Sequence, residues 1–138
     1  MEEGPEVAPS EPITRFLFFS RHIRADGFLR PDPLMPFPYA ELSVSVLDSR
    51  TPEQLWGVGD GIGTSLPVPR PCLGRTDISA QAFYAQALTV VRQATPVDPS
   101  HANVEGWPAA REQQKQLALN IIEKERPFMI PRPQRQAG

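Results

Sequence analysis

The chain has 138 residues, 40% of them hydrophobic and 22% charged, with a formal net charge of −2. That is apolar material for one modest core and too little for two. Its longest apolar run, Phe16 to Phe19, is four residues against the ~20 of a membrane span. The acidic opening Met-Glu-Glu-Gly-Pro-Glu lacks the basic flank and apolar stretch of a signal peptide. One cysteine and two histidines fall short of an intrachain disulfide and of the usual four-ligand zinc site. No metal ligand, cofactor or membrane partner is therefore expected, and the cytoplasm is the default compartment.

Proline is the outlier, with 17 residues where the usual share is about 5%. Residues 1–11 are acidic and carry Pro5 and Pro9, which reads as a disordered tail. Ile13 to Ile23, with Phe16, Phe18 and Phe19, predicts a central strand buried on both faces. Asp26-Gly27 marks a turn. Residues 30–39 hold Pro31, Pro33, Pro36 and Pro38, which forbids a helix or central strand. This is an extended loop, partly polyproline II, with Leu34, Met35, Phe37 and Tyr39 packing on the body. Glu41 to Leu47 alternates, placing Leu42, Val44 and Val46 on one side and Ser43 and Ser45 on the other, a half-buried strand.

Thr51-Pro52-Glu53-Gln54 carries a helix-start signature, and the short helix is predicted to end near Gly57. Glycine at 57, 59, 61 and 63 matches neither a dinucleotide fingerprint nor a phosphate loop. It reads as a helix C-cap running into a flexible loop, which Pro67, Pro69 and Pro71 continue to Cys72. A second helix follows, capped by Asp77 or Ser79, with Ala80, Phe83, Tyr84 and Ala87 on one face. Leu88 to Val91 is a short strand, and His101 to Trp107 another, with Ala102 and Val104 inward. The last helix runs from Pro108 to about Arg126 and buries Leu117, Ala118, Ile121 and Ile122. Lys124 and Arg126 suit its dipole, and Pro127 stops it. The expected fold class is α+β, a mixed, largely antiparallel sheet of about four strands packed by two to three helices. It occupies one domain, residues 12–126, followed by a flexible C-terminal tail at 127–138.

Candidate chemistry is sparse. His22, in Ser20-Arg21-His22-Ile23, and His101, in Pro99-Ser100-His101-Ala102, could each serve as a base or a ligand recogniser. The plainer reading of each is a hydrogen-bonded structural histidine. A Cys72–His101 dyad has only residue type behind it. Glu41, Asp48, Asp60, Asp77, Asp98 and Glu105 show no metal-binding spacing. Twelve arginines stand against two lysines, with Arg15, Arg21, Arg24 and Arg30 in one cluster and Arg126, Arg132 and Arg135 in another. They suit carboxylate or phosphate contacts, and the plain alternative is a solvated surface.

Arg21-His22, then Ser43-Val44-Ser45, then Glu105 run in an order similar to that of small ADP-ribosyltransferase folds. That resemblance implies NAD held by the basic residue and the serine strand, with the late glutamate stabilising the sugar cation. More broadly, Arg21-His22-Ile23, Asp26-Gly27, Glu41-Leu42-Ser43-Val44, Ala87-Leu88-Thr89-Val90 and Pro99-Ser100-His101-Ala102-Asn103-Val104-Glu105-Gly106 resemble a family of small, stand-alone bacterial proteins without a known activity. The resemblance spans about residues 13–126 and implies a bacterial protein encoded beside partners.

The sequence is therefore read first as a non-enzymatic accessory subunit of a bacterial multi-protein system, with no catalytic residue assigned. Its expected partner-binding residues are Leu34, Met35, Phe37 and Trp56 on or near proline loops. The alternative is a small-ligand binder or enzyme with Arg21, His22, Ser43, His101 and Glu105 around one pocket, which requires the two histidines to face one cleft. Nucleic-acid contact through the arginine clusters is a weaker third reading.

Overall fold

The computed structural model describes residues 4–133. Six strands form one sheet: β1 (Pro12–Leu17), β2 (Leu42–Val46), β3 (Gly74–Ser79), β4 (Thr89–Arg92), β5 (His101–Glu105) and β6 (Ile130–Pro131). Among the described residues three α-helices accompany them: α1 (Pro52–Ser65), α2 (Gln81–Tyr84) and α3 (Arg111–Glu125). The strand order is β4-β5-β2-β1-β3-β6, and every pairing is antiparallel. The α+β class and the antiparallel sheet are as expected from sequence. The strand count is higher, because β3 and β6 carry no hydrophobic alternation.

The two faces of the sheet are chemically different. Cross-strand partners share a face, so Ile13, Ile78, Val46, Val44, Ala102, Val104 and Val90 lie together. With Phe83 of α2 and Ala118 and Ile121 of α3 they make the main core. The opposite face carries Thr14, Phe16, Ser43, Ser45, Arg75, Asp77, His101, Asn103 and Glu105. There a smaller apolar cluster of Phe16, Trp56 and Cys72, flanked by Phe18 and Ile62, seats α1.

Several expectations are corrected by this packing. The first helix does not stop at Gly57 but continues through all four glycines to Ser65. Gly59 and Gly63 lie four residues apart, hence on one helix face. A Cβ on Gly59 would stand 2.8 Å from the Phe16 ring, and one on Gly63 would stand 2.2 Å from the Arg70 carbonyl oxygen. The glycines let the helix approach the sheet and the 66–73 loop closely. The Thr51 hydroxyl accepts the Gln54 N–H and the Gln54 side chain accepts the Thr51 N–H, the expected capping box.

The segment expected to lead into and cap a second helix is β3, paired with β1 over six residues. Its polar side chains find partners distant in sequence: the Thr76 hydroxyl donates to the Phe128 carbonyl at 2.9 Å, and the Arg75 guanidinium lies over the Trp56 ring. Only Gln81–Tyr84 is helical after it. The first strand ends at Leu17 instead of continuing to Ile23, and Ser20–His22 is a single 3-10 turn.

The tails expected at 1–11 and 127–138 fall partly outside the described residues, at 1–3 and 134–138. Their described parts pack. Val7 is buried, its N–H donates to Val90 O at 2.8 Å, and Arg92 N–H donates to Pro5 O at 2.9 Å. The N-terminal segment thus satisfies the open edge of β4, a row of backbone groups that needs a partner. The Tyr84 hydroxyl fastens it by donating its one proton to Val7 O at 2.6 Å, with Val90 O beside it at 3.1 Å. Residues 127–133 run beside β3 as β6.

The proline-rich loop 30–39 is held from below. Gln114 of α3 is buried, accepts the Phe37 N–H at 2.8 Å and donates to Pro108 O at 2.9 Å. The Phe37–Pro38 peptide is cis.

The turn after β2 is tied to β4 by a bidentate pair, Asp48 with Arg92 at 2.8 and 2.9 Å. The Arg92 hydrogen bond draws the Asp48 carboxyl down to about 2, outweighing the burial that opposes it. A carboxyl depressed in the folded state stabilises above its unfolded value of ~3.9, and that contribution fades as pH falls toward 2. Both side chains are nearly a third exposed, so the contribution is up to about 1 kcal/mol. Urea unfolding should show Asp48→Asn less stable than the parent chain by that amount at pH 7. The gap should close near pH 2, and a gap that persists there would contradict the assignment.

Candidate functional site

A row of adjoining surface clefts starts along α1 and continues past it to the turn after β1. One wall is the helix, where Glu53, Gly57, Asp60 and Thr64 recur at three- and four-residue spacing and so share a side. The other wall is formed by Arg70, Pro71 and Cys72 of the loop before β3 and by Arg132 and Pro133 after β6. The cleft nearest the N-terminal end of the helix measures about 570 Å³ and contains Trp56. The next is about 360 Å³ and shares Asp60 and Arg132 with it. The last, about 340 Å³, shares Arg70 and Pro71 with the second and reaches Phe19 and Arg21. Together they make one trough, crossed by the bidentate Arg132–Asp60 pair.

Charge is unevenly placed along it. At the far end the guanidinium carbons of Arg21 and Arg70 lie 4.2 and 4.4 Å from the centroid of the Phe19 ring. Both arginines are exposed, and neither makes an ion pair among the described residues. Each cation–π contact contributes ~0.5–1 kcal/mol, and repulsion between two cations less than ~9 Å apart is of the same order at the surface. The ring therefore gathers two like charges at little net gain. The His22 ring is 5.1 Å from that of Phe19. Its pKa is lowered, first by burial and then by Arg21 and Arg15, with Asp32 opposing.

Cys72, in the middle cleft, is buried and its Sγ–H donates to Gly74 O. Burial raises the thiol to about 11, so it stays protonated at neutral pH and is a poor nucleophile. The dyad with His101 does not form: the Nδ1 of His101 bonds to the Gln93 carbonyl at 2.7 Å. A carbonyl only accepts, so Nδ1 carries the proton.

The residues expected around one pocket are distributed differently. Ser43 and His101 do meet, with Thr14, Ser45, Phe18 and Ile62, in a cavity of about 40 Å³ between α1 and the polar face of the sheet. That is room for about one water molecule. Arg21, His22 and Glu105 do not line it. Arg21 and His22 lie on the 3-10 turn beyond β1 instead of on a strand, and Arg21 opens into the trough. Glu105 shares the polar face but sits at the far end of β5, opposite Thr89. The strand placement that an ADP-ribosyltransferase-like site requires of Arg21-His22 is thus corrected.

Of the four residues expected to bind a partner, three are buried. Leu34 and Met35 are 0% and 9% exposed and belong to the main core, whereas Trp56, at 7%, belongs to the cluster on the opposite face. Only Phe37, at 48%, is exposed. Leu34 is buried by the 3-10 turn Asp32–Leu34, which folds the loop onto the sheet.

Sequence reasoning missed Arg70, which sits between Pro69 and Pro71 in a segment that reads only as loop. Nothing local links it to Phe19. Among the described residues no group of three or more metal-ligating side chains converges, and no helix is long and apolar enough to cross a membrane. Comparison of the chain with family models, curated proteins and solved structures found no match.

Proposed function

We propose that this protein is a non-enzymatic interaction module, an accessory subunit of a bacterial multi-protein system, that docks an extended segment of a partner protein in the trough along α1. The observation that carries this reading is the series of three adjoining clefts, the first between α1 and residues 132–133, the second between α1 and the loop before β3, and the third between that loop and the turn after β1. From Glu53 to Thr64 the helical wall rises about 17 Å, the length of roughly five extended residues. The exposed prolines Pro52 and Pro71 offer apolar contact, and Arg21 and Arg70, which make no ion pair among the described residues, fix the direction of a segment acidic at their end.

Gly57 provides the test. It lines the trough, and a Cβ there would meet nothing within 4 Å. Gly57→Gln therefore fills the trough without disturbing the core, and it should gain up to about 1 kcal/mol in helix stability. Peptides selected from a displayed random library against the parent chain should bind the variant at least ~10-fold more weakly, a loss of ~1.4 kcal/mol. Equal binding to both, or no enrichment of any peptide, would overturn the reading.

A further inference from the structure

We infer that the Phe19 end of the trough is a subsite for a phosphoryl group. This rests on the docking reading and deepens it by naming the chemistry recognised at one end. Arg21 and Arg70 come from different parts of the chain, one from the turn after β1 and the other from the loop before β3. The fold nevertheless brings both guanidiniums onto one ring. No carboxylate is ion-paired to either among the described residues. The Ser20 residue lines the same cleft, about 340 Å³ in volume and open to solvent on its exposed arginines.

Guanidinium forks pair bidentately with oxyanions. A carboxylate has two oxygens and fills one fork. A phosphoryl group carries up to two negative charges and three terminal oxygens, so it can bridge both arginines and offset the repulsion between them. The shared chemistry is the phosphoryl group, carried either on a side chain of the docked segment or on a free phosphate ester.

His22 reports on occupancy. The charged groups acting on it are Arg21 and Arg15, which lower its pKa, and Asp32, which raises it. A dianion beside Arg21 adds to the raising side, so binding should move the His22 titration midpoint upward. His101, held on Gln93 in the polar face of the sheet, is the internal reference.

The experiment is a titration of the full chain with inorganic phosphate at constant ionic strength, read by NMR of the two histidine rings and Phe19. A saturable shift of Phe19 and an upward move of the His22 midpoint, with His101 unmoved, are expected. Arg21→Gln and Arg70→Gln should each weaken phosphate binding by about 10-fold, and Arg70→Lys should recover part of it. Both side chains are exposed, so the variants should keep the parent urea midpoint. The same shifts with chloride at equal ionic strength, or unaltered phosphate binding by Arg70→Gln, would overturn the subsite.

A five-residue peptide with one phosphoserine separates the two sources. Binding tighter than inorganic phosphate, with the gain lost in Gly57→Gln, assigns the group to a docked segment. Equal binding assigns it to a free ester and overturns the docking reading while the subsite stands. Trough peptides that bind without any response to phosphate overturn the subsite alone.

Discussion

Arg50→Ala is expected to lower the unfolding free energy by about 3–5 kcal/mol, the range for removing one partner of a buried ion pair. Arg50 is a staple at the end of β2. Its Nε donates to Leu47 O, its Nη2 to Val46 O and the Ser45 hydroxyl, and its Nη1 to Asp98 at 3.1 Å. The Asp98 side chain is 2% exposed, and one of its carboxylate oxygens has no hydrogen-bond partner among the described residues. The Arg50 charge is thus the principal compensation for burying that carboxylate. Removing it strands the acid and takes a donor from each of two carbonyls, Leu47 O keeping only the N–H of residue 50. The pair Arg24–Asp26 has the same chemistry, but its side chains are 55% and 46% exposed. Arg24→Ala should accordingly change stability by less than about 0.5 kcal/mol. Urea unfolding of the two variants provides the comparison. Similar losses for both would show that Asp98 is not held by Arg50.

Gly63→Ala is expected to destabilise by about 2 kcal/mol, although alanine is the better helix former by ~1 kcal/mol. Two effects oppose each other here. Helix propensity favours alanine, but the new Cβ would fall 2.2 Å from Arg70 O. Overpacking against backbone costs ~1–3 kcal/mol and occasionally more. The carbonyl belongs to a segment whose N–H already donates to Gly63 O at 3.1 Å, so helix and loop can separate only by losing that bond. Steric conflict should win, and the loop carrying Arg70 should shift. Phosphate binding at Phe19 should then fall along with stability. Gly57→Ala, with open space around its Cβ, should instead gain up to about 1 kcal/mol. Thermal or urea unfolding of the pair checks the sign at each position; a stabilised Gly63→Ala would mean that α1 does not touch the loop.

The elements legible in the sequence are those whose signal is local. Leu42, Val44 and Val46 alternate with serines, and β2 follows. Ala118 and Ile121 fall on one side of α3, and both are buried. The Thr51–Gln54 cap and the inward placement of Ala102 and Val104 also stand as read. The misreadings share a different cause. The four glycines look like a loop because their use is a close approach to Phe16 and Arg70, partners distant in sequence. β3 looks like a helix approach because its stabilisation comes from pairing with β1, not from its own side chains. Leu34 and Met35 pack on the body as read, but the anchor of their loop, Gln114, lies far along the chain and has no local signal.

The same division separates site from scaffold. Arg21 and His22 stand out as residue types, but their association with Phe19 and Arg70, and their separation from the Ser43–His101 cavity, depend on how the turn after β1 is placed. Composition, hydrophobic period and capping chemistry by themselves determined the α+β class, the apolar face of the sheet and the start of α1, because each acts over a few residues. The helical course of the glycine run, the burial of Trp56, the packed N-terminal segment and the paired arginines were decided only by the tertiary structure. Each depends on contacts between distant segments, and the free energy of those contacts outweighs local preference.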